Sequence, residues 1–300
     1  KRPLRLAGFV APEPVIEAAV VPRTARDGER FGAALAQIVR DDPSLRIVTD
    51  GESGETRLAG MGELHLQIVV EALMEAHGID VALGAPAVAY REAITRPVTV
   101  DWTHRKQNGG VGQFARVVLA FAPREDEAAG LDFRDATTGG AVPKPFAAAV
   151  EAALADAMVA GPLAGVPVHG LAATLLDGAH HTQDSSALAF DLAARAALAD
   201  GLAKAAPVLL EPLMAVTVTV PDDHVGAVVG DLQARRGRVE DIASVAGARD
   251  IRAAVPLSEL FQYVGTLRSL TRGRGTFAMR HAGHARVPAV ALNEALRRAG

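Results

Sequence analysis

The sequence predicts an α+β protein of three domains, because one strand–helix order occurs twice with a different α/β unit between the two copies. Residues 13–92 and 208–285 each predict the order β-α-β-β-α-β, which is the split βαβ arrangement. Residues 93–207 predict strands and two long helices in another order. A length of 300 residues is typical of two or three domains. Residues 1–12 are interpreted as an entry linker and 286–300 as a C-terminal tail.

The first unit is predicted from apolar periodicity and turn residues. Its predicted elements are strand 15–21, helix 27–41, strands 45–49 and 56–59 around a turn at 50–54, helix 62–77 and strand 80–83. In the second helix we expect Leu64, Ile68, Ala72 and Glu75 to separate the buried positions from the solvent-exposed ones.

The last unit repeats the order without repeating the sequence. Its predicted elements are strand 214–220, helix 223–233, strands 238–244 and 250–255, helix 257–269 and strand 276–281. Apolar residues at helical spacing place one face of each helix in a core. The similarity between the two units is therefore one of architecture.

The middle unit predicts strands at 98–104, 114–122, 131–135 and 168–176, with helices at 145–160 and 185–204. A polar segment precedes the last helix. Asp184 is the expected N-cap of that helix, with Ser185 and Ser186 in its first turn, because a short carboxylate can accept the unpaired N–H groups of a helix start.

Two polar loops of the middle unit are candidate contact sites. The glycine loop, residues 105–113, contains Arg105, Lys106, Gln107, Asn108, Gly109, Gly110, Val111, Gly112 and Gln113. Its cations suit phosphate, its amides suit base or ribose edges, and its glycines allow close backbone approach. Composition alone favours the alternative of a flexible hairpin tip. The histidine loop, residues 177–186, contains Asp177, Gly178, His180 and His181, and we expect the two loops to form one contact surface.

The composition excludes several classes of function. The sequence has no cysteine, which excludes disulfides and Cys-ligated metal, and its net charge of −4 requires any nucleic-acid contact to use local basic patches. No phosphate-binding G-x-x-x-x-G-K-[ST] motif, signal peptide or membrane-length apolar run occurs. Adjacent histidines without a zinc-type spacing indicate no metal site. No catalytic constellation is recognisable, so we expect no catalytic residue.

Six phrases, taken in order, resemble the C-terminal half of bacterial elongation factor G, and the resemblance covers residues 9–290. The phrases are Gly60-Met61-Gly62-Glu63-Leu64-His65-Leu66, Gln107-x-Gly109-Gly110-x-Gly112-Gln113, Asp177-Gly178-x-x-His181-x-x-Asp184-Ser185-Ser186, Leu209-Leu210-Glu211-Pro212-Leu213-Met214, Gly230-Asp231-Leu232-x-x-Arg235-Arg236-Gly237 and Leu267-Arg268-Ser269-Leu270-Thr271-x-Gly273-Arg274-Gly275. The resemblance implies that the outer units are the family's ferredoxin-like domains III and V. The middle unit is then its domain IV, with a left-handed βαβ crossover.

The resemblance also implies roles for particular residues. The two loops would lie at the tip that approaches the tRNA–mRNA duplex in the decoding region, with His181 as a neutral hydrogen-bonding group. The implied contacts to the 23S-type rRNA loop and the stalk base are Arg235, Arg236, Arg238, Arg268, Arg272 and Arg274. Gly60, Gly62 and Glu63 would form an inter-domain hinge, for which a tight turn with Glu63 at a helix N-terminus is the plain structural alternative.

By this resemblance, the chain is the lever half of a GTPase that moves tRNA and mRNA on the ribosome. It would contact both subunits as a cytoplasmic monomer. The fragment itself would hold no cofactor, and GTP and Mg²⁺ would bind to domains preceding residue 1. Departures from the family pattern at Val111, His180 and Gln183 leave open a paralogue for ribosome recycling or for protection against an antibiotic. A generic RNA-binding module would need exposed aromatic residues on a sheet, for which Phe277 is the candidate, and a free-standing enzyme would need a recognisable site.

Overall fold

The computed structural model describes residues 14–49, 56–84, 87–107, 112–124, 130–245 and 247–299. The predicted linker at 1–12, the turn at 50–54, and Asn108, Gly109, Gly110 and Val111 of the glycine loop lie outside these ranges. The chain divides into two compact units, residues 1–89 with 211–285 and residues 90–210 with 286–300.

The first domain has the predicted ferredoxin-like topology. Its elements are β1 (Ile16–Pro22), α1 (Ala25–Asp41), β2 (Arg46–Thr49), β3 (Thr56–Gly60), α2 (Glu63–His77) and β4 (Val81–Leu83). The antiparallel sheet has the order β2-β3-β1-β4, and the two-residue strand β5 (Ala87–Val88) adds to β1. Chain-adjacent strands β1 and β2 are therefore separated in space by β3.

Local signals set the ends of these helices. The Thr24 hydroxyl accepts a hydrogen bond from the Asp27 amide at 3.1 Å and caps α1. Gly78 ends α2 in a left-handed conformation (φ 62°), which glycine adopts without a steric penalty. Leu64 and Ile68 were expected at the boundary between the buried and exposed faces of α2. This expectation is wrong, because their exposed fractions are 68% and 53%. The buried face of α2 is instead formed by Leu66, Val69 and Leu73.

The middle domain is built on a mixed sheet of four strands. Its elements are β6 (Arg91–Ile94), β7 (Val98–Lys106), β8 (Gln113–Pro123), β9 (Leu131–Asp135), α3 (Lys144–Ala157), β10 (Leu171–Ala179) and α4 (Ala187–Lys204). The order is β7-β8-β10-β9, in which β9 and β10 are parallel neighbours joined through α3 and the other pairs are antiparallel. Both helices pack together, and α4 also contacts β7 and β8. The core includes Phe121, Leu154 and Phe190.

The predicted cap of α4 is wrong. Ser186 is the N-cap, and its hydroxyl accepts a hydrogen bond from the Ala189 amide at 3.2 Å, so the helix starts at residue 187. Asp184 lies two residues too early to reach these amides and has other partners, which belong to the glycine and histidine loops.

The last domain repeats the ferredoxin-like topology. Its elements are β11 (Pro207–Val220), α5 (Val225–Ala234), β12 (Arg238–Val245), β13 (Ala248–Pro256), α6 (Tyr263–Thr271) and β14 (Thr276–Arg286), and the sheet order is β12-β13-β11-β14. The first residues of β11 pair with β6. The segment after β14, expected as a tail, contains α7 (Ala289–Ala299).

One predicted helix of the last domain is interrupted. Residues 257–259 form a single 3₁₀ turn, and α6 begins only at Tyr263. Gln262, between the two, has a left-handed conformation (φ 59°) that an α-helix cannot contain. The apolar spacing of the predicted helix 257–269 continues through this break because residues on both sides, Leu257, Leu260 and Leu267, face the same core.

Candidate functional site

The described ends of the glycine and histidine loops lie against each other at one end of the middle domain. Strands β7 and β8 pair as far as Lys106 and Gln113. The Phe114 amide donates a hydrogen bond to the Asp184 carbonyl at 2.9 Å. The Ser185 hydroxyl donates to the Phe114 carbonyl at 2.6 Å. The two loops identified from the sequence are thus joined through backbone and side-chain bonds.

The side chains of Arg105, Lys106 and Gln107 are exposed and have no hydrogen-bond or ionic partner within the described ranges, although the backbones of Arg105 and Lys106 pair with β8. Gln113, at the other end of this loop, has its side-chain Oε1 3.0 Å from His104 Nε2. The described part of the loop therefore offers two cations and the Gln107 amide, while the Gln113 amide is held on the strand.

His181 is half exposed, with 54% of its side chain accessible. Its backbone N–H donates to the Ser185 hydroxyl at 2.8 Å. Its ring Nδ1 lies 3.3 Å from the Asp184 amide nitrogen and 3.2 Å from the Asp184 carboxylate. Because every described contact of the ring uses Nδ1, Nε2 has no partner in this part of the chain.

His180 is held against the body of the middle domain. Its Nδ1 lies 3.1 Å from the carbonyl oxygen of Ala141, and an imidazole N–H is the donor in such a contact. The ring packs edge-on to Phe146 at 6.3 Å, and Phe146 stacks on Phe190 at 4.7 Å. This histidine therefore anchors the loop to the helices below it.

Asp177 and Gly178, predicted at the start of the histidine loop, instead lie in strand β10 and pair with β8. Arg116 forms a two-pronged bond to Asp101, at 2.9 and 2.5 Å, and a longer one to Asp177 at 3.3 Å. The guanidinium hydrogen bond holds the pKa of Asp101 below its ordinary value. A Cβ at Gly178 would lie 2.6 Å from the Arg116 carbonyl oxygen and 2.5 Å from Val142, so only glycine fits.

The six arginines predicted to contact rRNA fall into two groups. Arg236 forms a two-pronged bond to the buried Glu211, at 2.5 and 3.0 Å, and contacts Glu259 at 2.9 Å. The hydrogen bonds to Glu211 raise the pKa of Arg236. Arg235 bonds Asp231 at 2.8 Å and lies 5.0 Å from the centre of the Tyr263 ring. These two guanidinium groups stabilise the last domain internally.

The other four arginines are exposed. Arg238 pairs with Glu240 at 3.0 Å, and Arg274 pairs with Asp223 at 2.9 Å. The Arg274 hydrogen bond lowers the pKa of Asp223. Arg268 and Arg272 have no ionic partner in the part of the chain that the structure describes. They are the two of the six that remain available to an external phosphate.

The predicted hinge residues form a tight strand-to-helix turn. Gly62 precedes α2, and Glu63 is in its first turn. A Cβ at Gly60 would lie 2.8 Å from Leu66. The turn is fixed by His65, whose Nδ1 accepts the Met61 amide at 3.2 Å and whose Nε2 lies 3.0 Å from Asp42.

Three further observations concern metal-type clusters, membrane-length helices and the aromatic residue Phe277. Across the described residues, no group of three or more His, Asp or Glu side chains is placed to hold a metal ion. Nor is any helix there long and apolar enough to cross a membrane. Phe277, the aromatic candidate for base stacking, packs on Tyr263 at 5.1 Å and against the core, so it does not offer a stacking surface.

The fold and the joined loops define a class of α+β proteins in which two ferredoxin-like domains precede and follow, along the chain, an α/β domain with two joined polar loops. Family models for "Elongation Factor G, domain III", "Elongation factor G, domain IV" and "Elongation factor G C-terminus" match residues 11–85, 86–206 and 208–295. The chain belongs to the elongation factor G family.

Individual relatives support this assignment. The chain is 47% identical over 288 residues to elongation factor G of Rhodopseudomonas palustris (strain BisB18), covering 96% of this chain and 42% of the relative. It is 48% identical over 289 residues to elongation factor G 2 of Trichodesmium erythraeum (strain IMS101), covering 96% and 41%. A crystal structure of a Thermus thermophilus protein matches with a TM-score of 0.71 at 36% identity, covering 97% of this chain and 44% of that one. The chain thus spans less than half the length of these proteins.

Asp184 and Ser185 are the site residues whose role the sequence analysis missed. Sequence spacing assigned both to a helix start, whereas their side chains bond residues of the glycine loop and of the strand that follows it. The partners are 72 and 71 positions away in the chain, so no local pattern could have indicated them.

Proposed function

We propose that this chain is the ribosome-contacting lever of an elongation factor G-type GTPase that promotes movement of tRNA and mRNA during translation elongation. The observation that carries the proposal is the joined pair of loops at the end of the middle domain. They present Arg105, Lys106, Gln107 and Nε2 of the His181 ring together, without partners in the described residues.

The chemistry of these groups suits an RNA duplex. Arginine and lysine neutralise phosphates, and amide and imidazole groups hydrogen-bond ribose or base edges. The whole chain carries a net charge of −4, so the two adjacent cations create a local attraction that the global charge does not supply. In the proposed mechanism the tip enters the decoding region, displaces the tRNA–mRNA duplex from the small subunit and blocks its return.

The last domain supplies a second proposed contact, to the rRNA loop and stalk base of the large subunit. Arg268 and Arg272 support it, because both are exposed and without an ionic partner in the described part. Arg238 and Arg274 would have to exchange a surface carboxylate for phosphate, which costs little because exposed pairs are weak. Arg235 and Arg236 would act indirectly, by holding this domain together. The Gly60–Glu63 turn is the proposed hinge surface.

Nucleotide chemistry is assigned to domains outside this chain. The 300 residues contain no G-x-x-x-x-G-K-[ST] motif, so the proposal places GTP and Mg²⁺ in preceding domains of a full-length cytoplasmic protein that works as a monomer.

The test uses a full-length protein that carries this chain behind GTPase domains. Addition with GTP to pre-translocation ribosomes is expected to move mRNA by one codon, and His181→Ala and Lys106→Ala are expected to slow this movement. Arg134→Ala is the matched control, because Arg134 is an exposed cation on β9, at the sheet edge opposite the β7–β8 hairpin.

Subunit splitting with ribosome recycling factor is measured in parallel. Splitting without mRNA movement would contradict a translocation role and would support the recycling alternative. Movement that is equally fast in all three variants would contradict the assignment of the tip.

A further inference from the structure

We propose that Asp184 and Ser185 are positioning residues that brace the described end of the glycine loop, at Gly112 and Phe114, against the histidine loop. This inference rests on the proposed function and adds one requirement to it. The two loops must be joined before the protein binds RNA, which we call preassembly. The tip would work because Gly112 and His181 are held in fixed relative positions before they meet RNA.

Four hydrogen bonds form the brace. The Gly112 amide donates to the Asp184 carboxylate at 3.1 Å, and the Phe114 amide donates to the Asp184 carbonyl at 2.9 Å. The Ser185 hydroxyl donates to the Phe114 carbonyl at 2.6 Å and accepts the His181 amide at 2.8 Å. Ser185 therefore bonds both sides of the contact surface with a single side chain.

The Asp184 carboxylate also contacts both loops. Besides accepting the Gly112 amide, it lies 3.2 Å from Nδ1 of His181. A Cβ at residue 112 would lie 3.0 Å from this carboxyl group, so the absence of a side chain at Gly112 allows the close approach. The brace thus involves a glycine of the tip and fixes the ring whose Nε2 faces no described partner.

The negative charge of Asp184 allows a positioning role to be distinguished from a purely electrostatic effect on RNA binding. A carboxylate beside an RNA-binding surface repels phosphates, so its removal should improve binding if charge is all that matters. A positioning role predicts the opposite for Asp184→Ala, because the Gly112 amide loses its acceptor and the His181 ring loses its carboxylate contact. Asp184→Asn removes the charge but keeps an oxygen that can accept the Gly112 amide, and is expected to behave closer to the unsubstituted chain.

The first measurement uses the 300-residue chain alone, without ribosomes. Amide hydrogen exchange is expected to accelerate by about tenfold or more at Gly112 in Asp184→Ala and at His181 in Ser185→Ala, because each of these amides loses its side-chain acceptor. Ser185→Thr keeps the hydroxyl and is expected to preserve protection. Asp132→Ala, which removes an exposed carboxylate on β9 with no partner among the described residues, is the charge control. Unchanged exchange in Asp184→Ala and Ser185→Ala would overturn the brace, whatever the function.

The second measurement is mRNA movement by the full-length protein. Asp184→Ala and Ser185→Ala are expected to slow movement by about tenfold at saturating factor, because misplaced groups lower the rate of the step itself. The salt dependence of ribosome binding should keep its slope, since no phosphate contact is removed. Rescue by Ser185→Thr would confirm that the hydroxyl bonds are responsible.

The outcomes distinguish the two proposals. If His181→Ala slows movement while Asp184→Ala accelerates exchange at Gly112 but moves mRNA normally, preassembly is refuted and the proposed function stands. If none of the tip variants changes movement, the proposed function itself fails.

Discussion

Gly178→Ala should destabilise the middle domain by about 2 to 3 kcal/mol, the upper part of the range for overpacking at a site that cannot relax. The added Cβ would lie 2.6 Å from the Arg116 carbonyl oxygen and 2.5 Å from Val142 Cγ2. The carbonyl belongs to β8, the central neighbour of β10, and both strands are bonded into the sheet. The strand must therefore shift, which also moves Arg116 away from Asp101 and Asp177.

The chain offers a built-in reporter for this prediction. Trp102 is its single tryptophan and lies on β7 of the same sheet, so its fluorescence follows unfolding of the middle domain in urea. Gly28→Ala is a control for the substitution itself, because nothing lies within 4 Å of a Cβ built there and Gly28 belongs to the first domain, so the Trp102 transition should not change. An unfolding midpoint of Gly178→Ala equal to that of the unsubstituted chain would refute the steric reasoning.

Three further predictions follow from buried or bonded carboxylates. Arg236→Ala should cost about 3 kcal/mol of unfolding free energy, because Glu211 is left buried and unpaired, and urea unfolding of the last domain measures this. Glu92→Ala should cost about 2 to 3 kcal/mol, since its buried carboxylate accepts two backbone amides of the loop before β10, and a midpoint within error of the unsubstituted chain would contradict it. Hydrogen bonds from Ser44, and after them the contact with His65, lower the pKa of Asp42 in the folded protein. The ionised Asp42 carboxylate therefore stabilises the fold above its unfolded pKa of about 3.9, and this stabilisation disappears as the pH falls through its lower folded pKa. Asp42→Asn should therefore flatten the loss of stability in this acid range, and an unchanged pH profile would exclude Asp42 as a contributor.

Much of the architecture could be predicted because its causes are local. Alternating burial along β11, with Val216, Val218 and Val220 inside, gives the period-two pattern of a strand with one face on a core. The order of such segments determines the ferredoxin-like topology in both outer domains. The break before α6 could not be predicted, because the left-handed Gln262 leaves the apolar spacing intact.

The positions of the two loops could be predicted from the sequence, but the hydrogen bonds that join them could not. Polar residues and glycines mark the glycine loop, whereas the attachment of Asp184 to Gly112 joins residues 72 positions apart. Arg236 and Arg272 look equivalent in sequence. The structure separates them, because the carboxylate that binds Arg236 comes from residue 211 in another strand, while Arg272 ends α6 at the surface. The partner of a side chain could not be predicted from the sequence when that partner is distant in the chain, even where the residue type is known.

The rate of mRNA movement on pre-translocation ribosomes tests the central claim most directly. A full-length protein carrying this chain, with GTP, should move mRNA by one codon. His181→Ala should slow that step by about tenfold or more, as loss of a positioned hydrogen bond at the decoding contact implies, and Arg134→Ala should leave it unchanged. Equal rates for His181→Ala and Arg134→Ala, or subunit splitting without any mRNA movement, would contradict the account.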